Sequence, residues 1–215
     1  MRLYLLILSV LTALVVPFPT GLARFEAAAG PPRATVLGYS REEFGEGWAT
    51  LDDACTTRTV AMARAFRSGT CQTPHRQWDV SPIPDPYTGR PLVPADVEID
   101  HLVPLAAAWD LGAHAWTPQR RRDFANDPRN LVVTSSAANQ AKSDQLPSEW
   151  LPPQRRARCA YAQRLAAVAA EYGLALPAPD LRAARRACSG VAGLAGRREL
   201  APSQVGQARA PVPVP

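Results

Sequence analysis

A chain of 215 residues can build one domain with a sizeable core plus tails, and it is too short for two large domains, so a single site is expected. The net charge of +5 and a pI near 9.4 suit a polyanionic partner, although that balance alone fits many basic proteins. Of the 24 basic residues only Lys142 is lysine, and the absence of any internal repeat argues against an array or solenoid.

The amino terminus runs from Met1 and Arg2 through an apolar stretch over 3–16 to Pro17, Pro19, Gly21 and Ala23, the order of a secretory signal. The stretch is shorter than the about 20 residues that a spanning helix needs, so a signal peptide over 1–23 is expected rather than a membrane anchor. Cleavage is expected after Ala23 or Ala29, and no cysteine follows either position to carry a lipid, so the product should be secreted and free of the membrane. An oxidising compartment favours disulfides for the four cysteines, none of which has CxxC spacing. Three pairings are possible. Cys55 with Cys71 and Cys159 with Cys188 is favoured, because each couple brackets a locally continuous segment.

Residues 24–37, rich in Ala, Gly and Pro, read as a linker, with the globular domain over 38–189. The apolar spacing of Leu51, Val60, Met62, Ala63 and Phe66 predicts a helix over 52–67, with aspartates near its start. The segment SPIPDPYTG (81–89) is turn chemistry throughout. Alternation predicts a short strand over 97–100, followed by a short helix over 105–111. Thr117 and Pro118 are the cap and first-turn proline of a further helix. A turn at Asn126, Asp127 and Pro128 leads into a second strand over 130–134, and Ser135 and Ser136 can cap a helix over 137–142. Helices are expected over 157–172 and 181–187. The region 190–215 is too poor in large apolar groups to offset ordering entropy and reads as a disordered tail.

Asp100 and His101 close the first strand. An aspartate offers hard oxygen to Mg²⁺ or Mn²⁺, and an imidazole can take a proton from water at neutral pH. Consecutive strand residues point to opposite sides, so a shared site requires the chain to turn here, and Pro104 is consistent with that. Downstream, Asn130 opens the second strand, and Asn139 and Lys142 stand three apart on one helix face. Asn139 is a candidate oxygen ligand, Lys142 a candidate for a phosphate or developing charge, and Asn130 a candidate to tie down the loop after His101. His75 and His114 have no partner at ligand spacing and read as structural, and Trp150 reads as a packing residue.

The stretches VEIDHLVPL (97–105), FANDPRNL (124–131), NQAKSD (139–144) and EWLPP (149–153) together resemble the HNH nuclease superfamily. More narrowly, the chain is similar to secreted actinobacterial HNH proteins related to the C-terminal domain of GmrSD restriction endonucleases. The likeness extends over 48–188 and includes CTTR (55–58) and DPYTG (85–89).

The resemblance implies an α+β fold around a ββα-metal (His-Me finger) core with a long inter-strand connection, packed among several helices. It implies His101 as general base, Asp100 and Asn139 as ligands of one divalent cation, and Asn130 as the loop-fixing asparagine. Asn139 stands where the family name promises a histidine, which favours Mg²⁺ or Mn²⁺ and makes zinc the poorer candidate. The implied reaction is metal-dependent hydrolysis of DNA, with RNA as a second substrate, leaving 5′ phosphates, by a monomer.

Arg58 and Arg129 are candidates for phosphate contact, with a structural ion pair as the plainer role for an arginine beside a disulfide. Arg120, Arg121 and Arg122 could track a backbone or form a solvated helix face. The competing reading is a catalytically inactive extracellular module that binds nucleic acid or another polyanion. The intact Asp100, His101, Asn130 and Asn139 set argues for the enzyme.

Overall fold

The apolar run near the amino terminus forms helix α1 (Arg2–Val15), whose large side chains from Leu3 to Leu11 stay in solvent, Leu3 at 72% exposure. The computed structural model describes residues 2–15, 25, 27–51 and 55–189. The expected tail over 190–215 and one end of the expected signal peptide, 16–23, lie outside the described residues. No helix among the described residues is long and apolar enough to cross a membrane.

Strand β1 (Ala29–Gly30) pairs in parallel with β6 (Leu176–Pro177), joining the two ends of the domain. Glycine is required here by close approach, since a Cβ on Gly30 would sit 2.9 Å from the Ala175 Cβ and carbonyl oxygen. Arg33, in the segment expected to be a linker, donates to Asp110 Oδ2 at 2.7 Å and to Asp144 Oδ2 at 2.6 Å, and the Val36 amide donates to Asp110 Oδ1.

Helix α2 (Thr57–Phe66) begins later than the apolar spacing suggested, and no acidic residue lies in its first turn. Thr56 and Thr59 form a reciprocal capping box that satisfies the first free amides, a stronger start signal than the upstream aspartates. The Cys55–Cys71 disulfide ties the start of α2 to the chain beyond its end. Met62 and Phe66 of α2 pack on Val97, Ile99, Leu131 and Val133, and each such buried side chain is worth about 1.5–3 kcal/mol.

The proline-rich turn becomes a hairpin of β2 (Ile83–Pro84) and β3 (Pro91–Leu92). Its Asp85 accepts from the Thr134 and Ser135 hydroxyls at 2.7 and 2.6 Å. Burial opposes the charge, but these bonds and that from the Tyr87 amide hold the Asp85 carboxyl below its usual value.

Strand β4 (Val97–His101) runs antiparallel to β5 (Leu131–Ser135), in the register Val97 to Ser135 and His101 to Leu131. The long connection between them holds α3 (Leu105–Asp110) and α4 (Pro118–Asn126), the latter capped by Thr117 with Pro118 in the first turn. Helix α5 (Ser136–Lys142) follows β5 directly, with Ser135 as its cap.

Helices α6 (Arg158–Glu171) and α7 (Ala178–Ala187) pack on each other and are joined by the Cys159–Cys188 disulfide. Both expected pairings are therefore present. Each closed loop stabilises the fold by roughly 3 kcal/mol in the chain-entropy account. The main core lies under α3, α4 and α6, around Phe44, Phe124, Tyr161 and Leu165. The result is a mixed helical and small-sheet architecture, α+β in class.

Candidate functional site

Strand alternation places Glu98 and Asp100 on one side of β4 and Ile99 on the other, in the cluster under α2. Immediately after His101 the chain leaves the sheet. Asn130 controls this exit: its carbonyl accepts from the Leu102 amide, its Oδ1 accepts from the Val103 amide at 2.9 Å, and its Nδ2 donates to the Val103 carbonyl at 3.3 Å. Asn130 is wholly buried, so Asn130→Ala would strand two backbone groups. The expected loss is about 2–3 kcal/mol in urea unfolding, with a smaller loss for Asn130→Asp, which keeps the acceptor.

The turn allows Asp100 and His101 to line the same cavity of about 410 Å³, together with Asn139, Asp144, Tyr39 and Arg41. His101 also borders a smaller recess of about 50 Å³, lined by Arg41, Gly45, Gly47 and Trp48. The imidazole lies parallel to the Trp48 indole, with ring centroids 5.4 Å apart. Its Nε2 lies 2.8 Å from the Ala125 carbonyl oxygen, which can only accept, so Nε2 carries the hydrogen and Nδ1 keeps the lone pair. Burial lowers the His101 pKa to about 4, against the Ala125 hydrogen bond and with the Arg41 and Lys142 charges adding to the shift. The ring is neutral at physiological pH.

The Asp100 carboxylate is held on both oxygens. Lys142 Nζ donates to Oδ1 at 2.8 Å and to the His101 carbonyl at 2.7 Å, and the Tyr87 hydroxyl donates to Oδ2. Lys142 is wholly buried. Burial pushes the Asp100 carboxyl above and the Lys142 ammonium below their ordinary values, and each charge opposes the shift of the other. Asn139 does not touch this pair; its Nδ2 donates to Glu98 Oε2 at 2.8 Å, which leaves the amide oxygen as its remaining acceptor.

Among the described residues no three His, Cys, Asp or Glu side chains cluster as a ligand set. A magnesium-type ion needs only one or two protein oxygens, with waters and substrate phosphates completing its shell. On the cavity wall the Asp100 carboxylate, whose oxygens offer about four lone-pair directions, and the Asn139 amide oxygen meet that requirement, whereas Asp144 on the same wall is engaged by Arg33. The cavity offers a softer metal no thiolate, because all four cysteines are in disulfides, and a single imidazole nitrogen, the His101 Nδ1.

The other candidates lie elsewhere. Arg129 is engaged by both oxygens of Asp127 and by Glu171, and Arg58 sits on α2, near His75. Arg121 is bound to Glu43, Arg120 to the Tyr172 carbonyl, and Arg122 to Gln119. His114 meets the Trp109 carbonyl, and Trp150 packs edge-on to Tyr87 and Tyr161.

Four contributors went unseen in the sequence. Tyr87 lay inside a quoted motif and Glu98 two places before Asp100, a same-face spacing that could have been read. Arg41 and Trp48 carried no local signal.

Residues 50–176 match the family described as GmrSD restriction endonucleases, C-terminal domain, which is more than half of the chain. The chain belongs to this family. It is also 32% identical over 195 residues to an uncharacterized secreted protein of Arthroderma benhamiae, covering 82% of this chain and 93% of that one. No solved structure matches it. The GmrSD C-terminal domain span contains Asp100, His101, Asn130, Asn139 and Lys142, whereas Arg41 and Trp48 precede it. The HNH resemblance read from the motifs is thereby borne out at the level of family.

Proposed function

We propose that the protein is a secreted, divalent-metal-dependent HNH endonuclease that hydrolyses phosphodiester bonds of DNA, and of RNA as a second substrate, acting as a monomer. The observation that carries this reading is the His101 imidazole, neutral and anchored through Nε2 to the Ala125 carbonyl, on the wall of a cavity shared with Asp100 and Asn139. The strand, strand, helix order of β4, β5 and α5 supports a ββα-metal core of the kind expected for such an enzyme. Export is supported by the amino-terminal pattern, the two disulfides and the description of the Arthroderma relative as secreted.

In this reading His101 Nδ1 accepts a proton from the water that attacks phosphorus. Asn130 holds the exit loop so that the ring keeps its direction. Lys142 neutralises the Asp100 charge and fixes the His101 carbonyl, so it acts on the base through the backbone. Asp100 and Asn139 would hold Mg²⁺ or Mn²⁺, which supplies Lewis-acid stabilisation of charge on the phosphate.

A second reading, a module that binds nucleic acid without cutting it, draws on the engagement of both Asp100 oxygens by Lys142 and Tyr87. Supercoiled plasmid incubated with the oxidised protein separates the two. Nicking and linearisation with Mg²⁺ or Mn²⁺, stopped by EDTA, are expected of the enzyme. DNA retarded in a gel but left intact with either ion would establish the binding module instead.

A further inference from the structure

The segment before the family-matched span is docked rather than free. β1 pairs with β6, Arg33 bridges Asp110 and Asp144, Phe44 is buried in the main core, and Glu43 receives Arg121 through its carboxylate and its carbonyl. Between these anchors, a single 3₁₀ turn (Arg41–Phe44) presents Arg41 at the mouth of the site. Arg41 lines both the large cavity and the smaller recess, each of which His101 also lines. It is exposed, and among the described residues it has no ion pair or side-chain hydrogen bond. Of the arginines that sequence reasoning offered for phosphate contact, Arg129 and Arg121 differ in being already held by carboxylates, and neither they nor Arg58 line the cavity.

We infer that Arg41, delivered by the docked 27–49 segment, binds a phosphodiester group of the nucleic-acid substrate beside His101. This rests on the nuclease reading above. A guanidinium presents a planar fork that matches two phosphate oxygens, and an uncommitted one loses no existing partner on binding. Its position against the wall formed by Asp100, His101 and Asn139 makes the bound phosphate one at or next to the bond being cut.

The test uses the full oxidised protein and a fluorescein-labelled DNA duplex. Steady-state cleavage in Mg²⁺ is measured for wild type, Arg41→Ala, Arg41→Lys and Arg185→Ala, the last an exposed arginine on α7 away from the cavity. Binding is followed by anisotropy in Ca²⁺ across a salt series. Arg41→Ala is expected to lower kcat/KM about 10–100-fold, as for loss of a charge-assisted hydrogen bond. It should also flatten the dependence of log affinity on log salt by about 0.9, one phosphate contact. Arg41→Lys should recover the salt slope but only part of kcat/KM, because an ammonium lacks the fork. Thermal midpoints should be unchanged.

If wild type cleaves and Arg41→Ala matches Arg185→Ala in both kcat/KM and salt slope, the assignment of Arg41 is overturned and the nuclease reading stands. If wild type neither cleaves nor binds the duplex, the nuclease reading fails and Arg41 with it.

Discussion

Replacing His101 by alanine is expected to lower kcat for plasmid cleavage by about 100- to 10,000-fold, the usual contribution of a positioned general base, with little change in DNA affinity. The reason lies in the ring's single anchor. Nε2 is spent on the Ala125 carbonyl, so Nδ1 alone can accept a proton, and no other described side chain of the cavity holds a neutral nitrogen base. His101→Gln should not rescue the rate, since an amide cannot act as a base near neutral pH.

The same residue predicts a stability signature that requires no substrate. The folded-state pKa of about 4 lies below the ordinary 6.5, so between these values the unfolded chain binds a proton that the native protein does not. Stability contributed by the neutral ring is therefore present above pH 6.5 and lost as pH falls toward 4. In urea unfolding with EDTA, wild type should lose about 2 kcal/mol more than His101→Ala between pH 7 and pH 5. Equal losses in the two proteins would show that the ring is not buried neutral, and an unaltered kcat in the variant would remove His101 from the chemistry.

Lys142→Ala is expected to destabilise the protein by about 3–5 kcal/mol, because it leaves the Asp100 carboxylate buried without its counter-charge. It also frees the His101 carbonyl, so activity should fall even in molecules that remain folded. The double variant Lys142→Met with Asp100→Asn keeps an acceptor for Tyr87 and removes both buried charges. In EDTA it should recover about 2 kcal/mol relative to Lys142→Ala. A loss below about 1 kcal/mol for Lys142→Ala would mean that the ammonium is not the partner on which the Asp100 charge depends. Lys142, read from the sequence as a candidate for a phosphate or a developing charge, is wholly buried and faces the Asp100 carboxylate and a backbone carbonyl.

Much of the central unit was legible. VEIDH alternates along β4, Ser135 caps α5, and Thr117 with Pro118 opens α4, all because these signals are local and act through backbone groups within a few residues. The start of α2 was misplaced because two aspartates suggested an earlier beginning, whereas the Thr56 and Thr59 capping box set it at Thr57. The pairing of β1 with β6 was invisible. Each is two residues long, and their partnership depends on Gly30 reaching Ala175 across the whole domain.

The amino-acid order alone determined the family and the strands and helix that carry Asp100, His101 and Asn139, since these are written in short-range spacing or in an ordered set of motifs, and it favoured, among three pairings, the cysteine couples that form. Tertiary structure decided what those side chains meet. That Asp100 answers to Lys142 and Tyr87, that Asn139 donates to Glu98, that Trp48 stacks on the imidazole and that Arg41 lines a recess with it are relations between separate segments of the chain. Such relations are set by how the whole core packs, and no local periodicity encodes them.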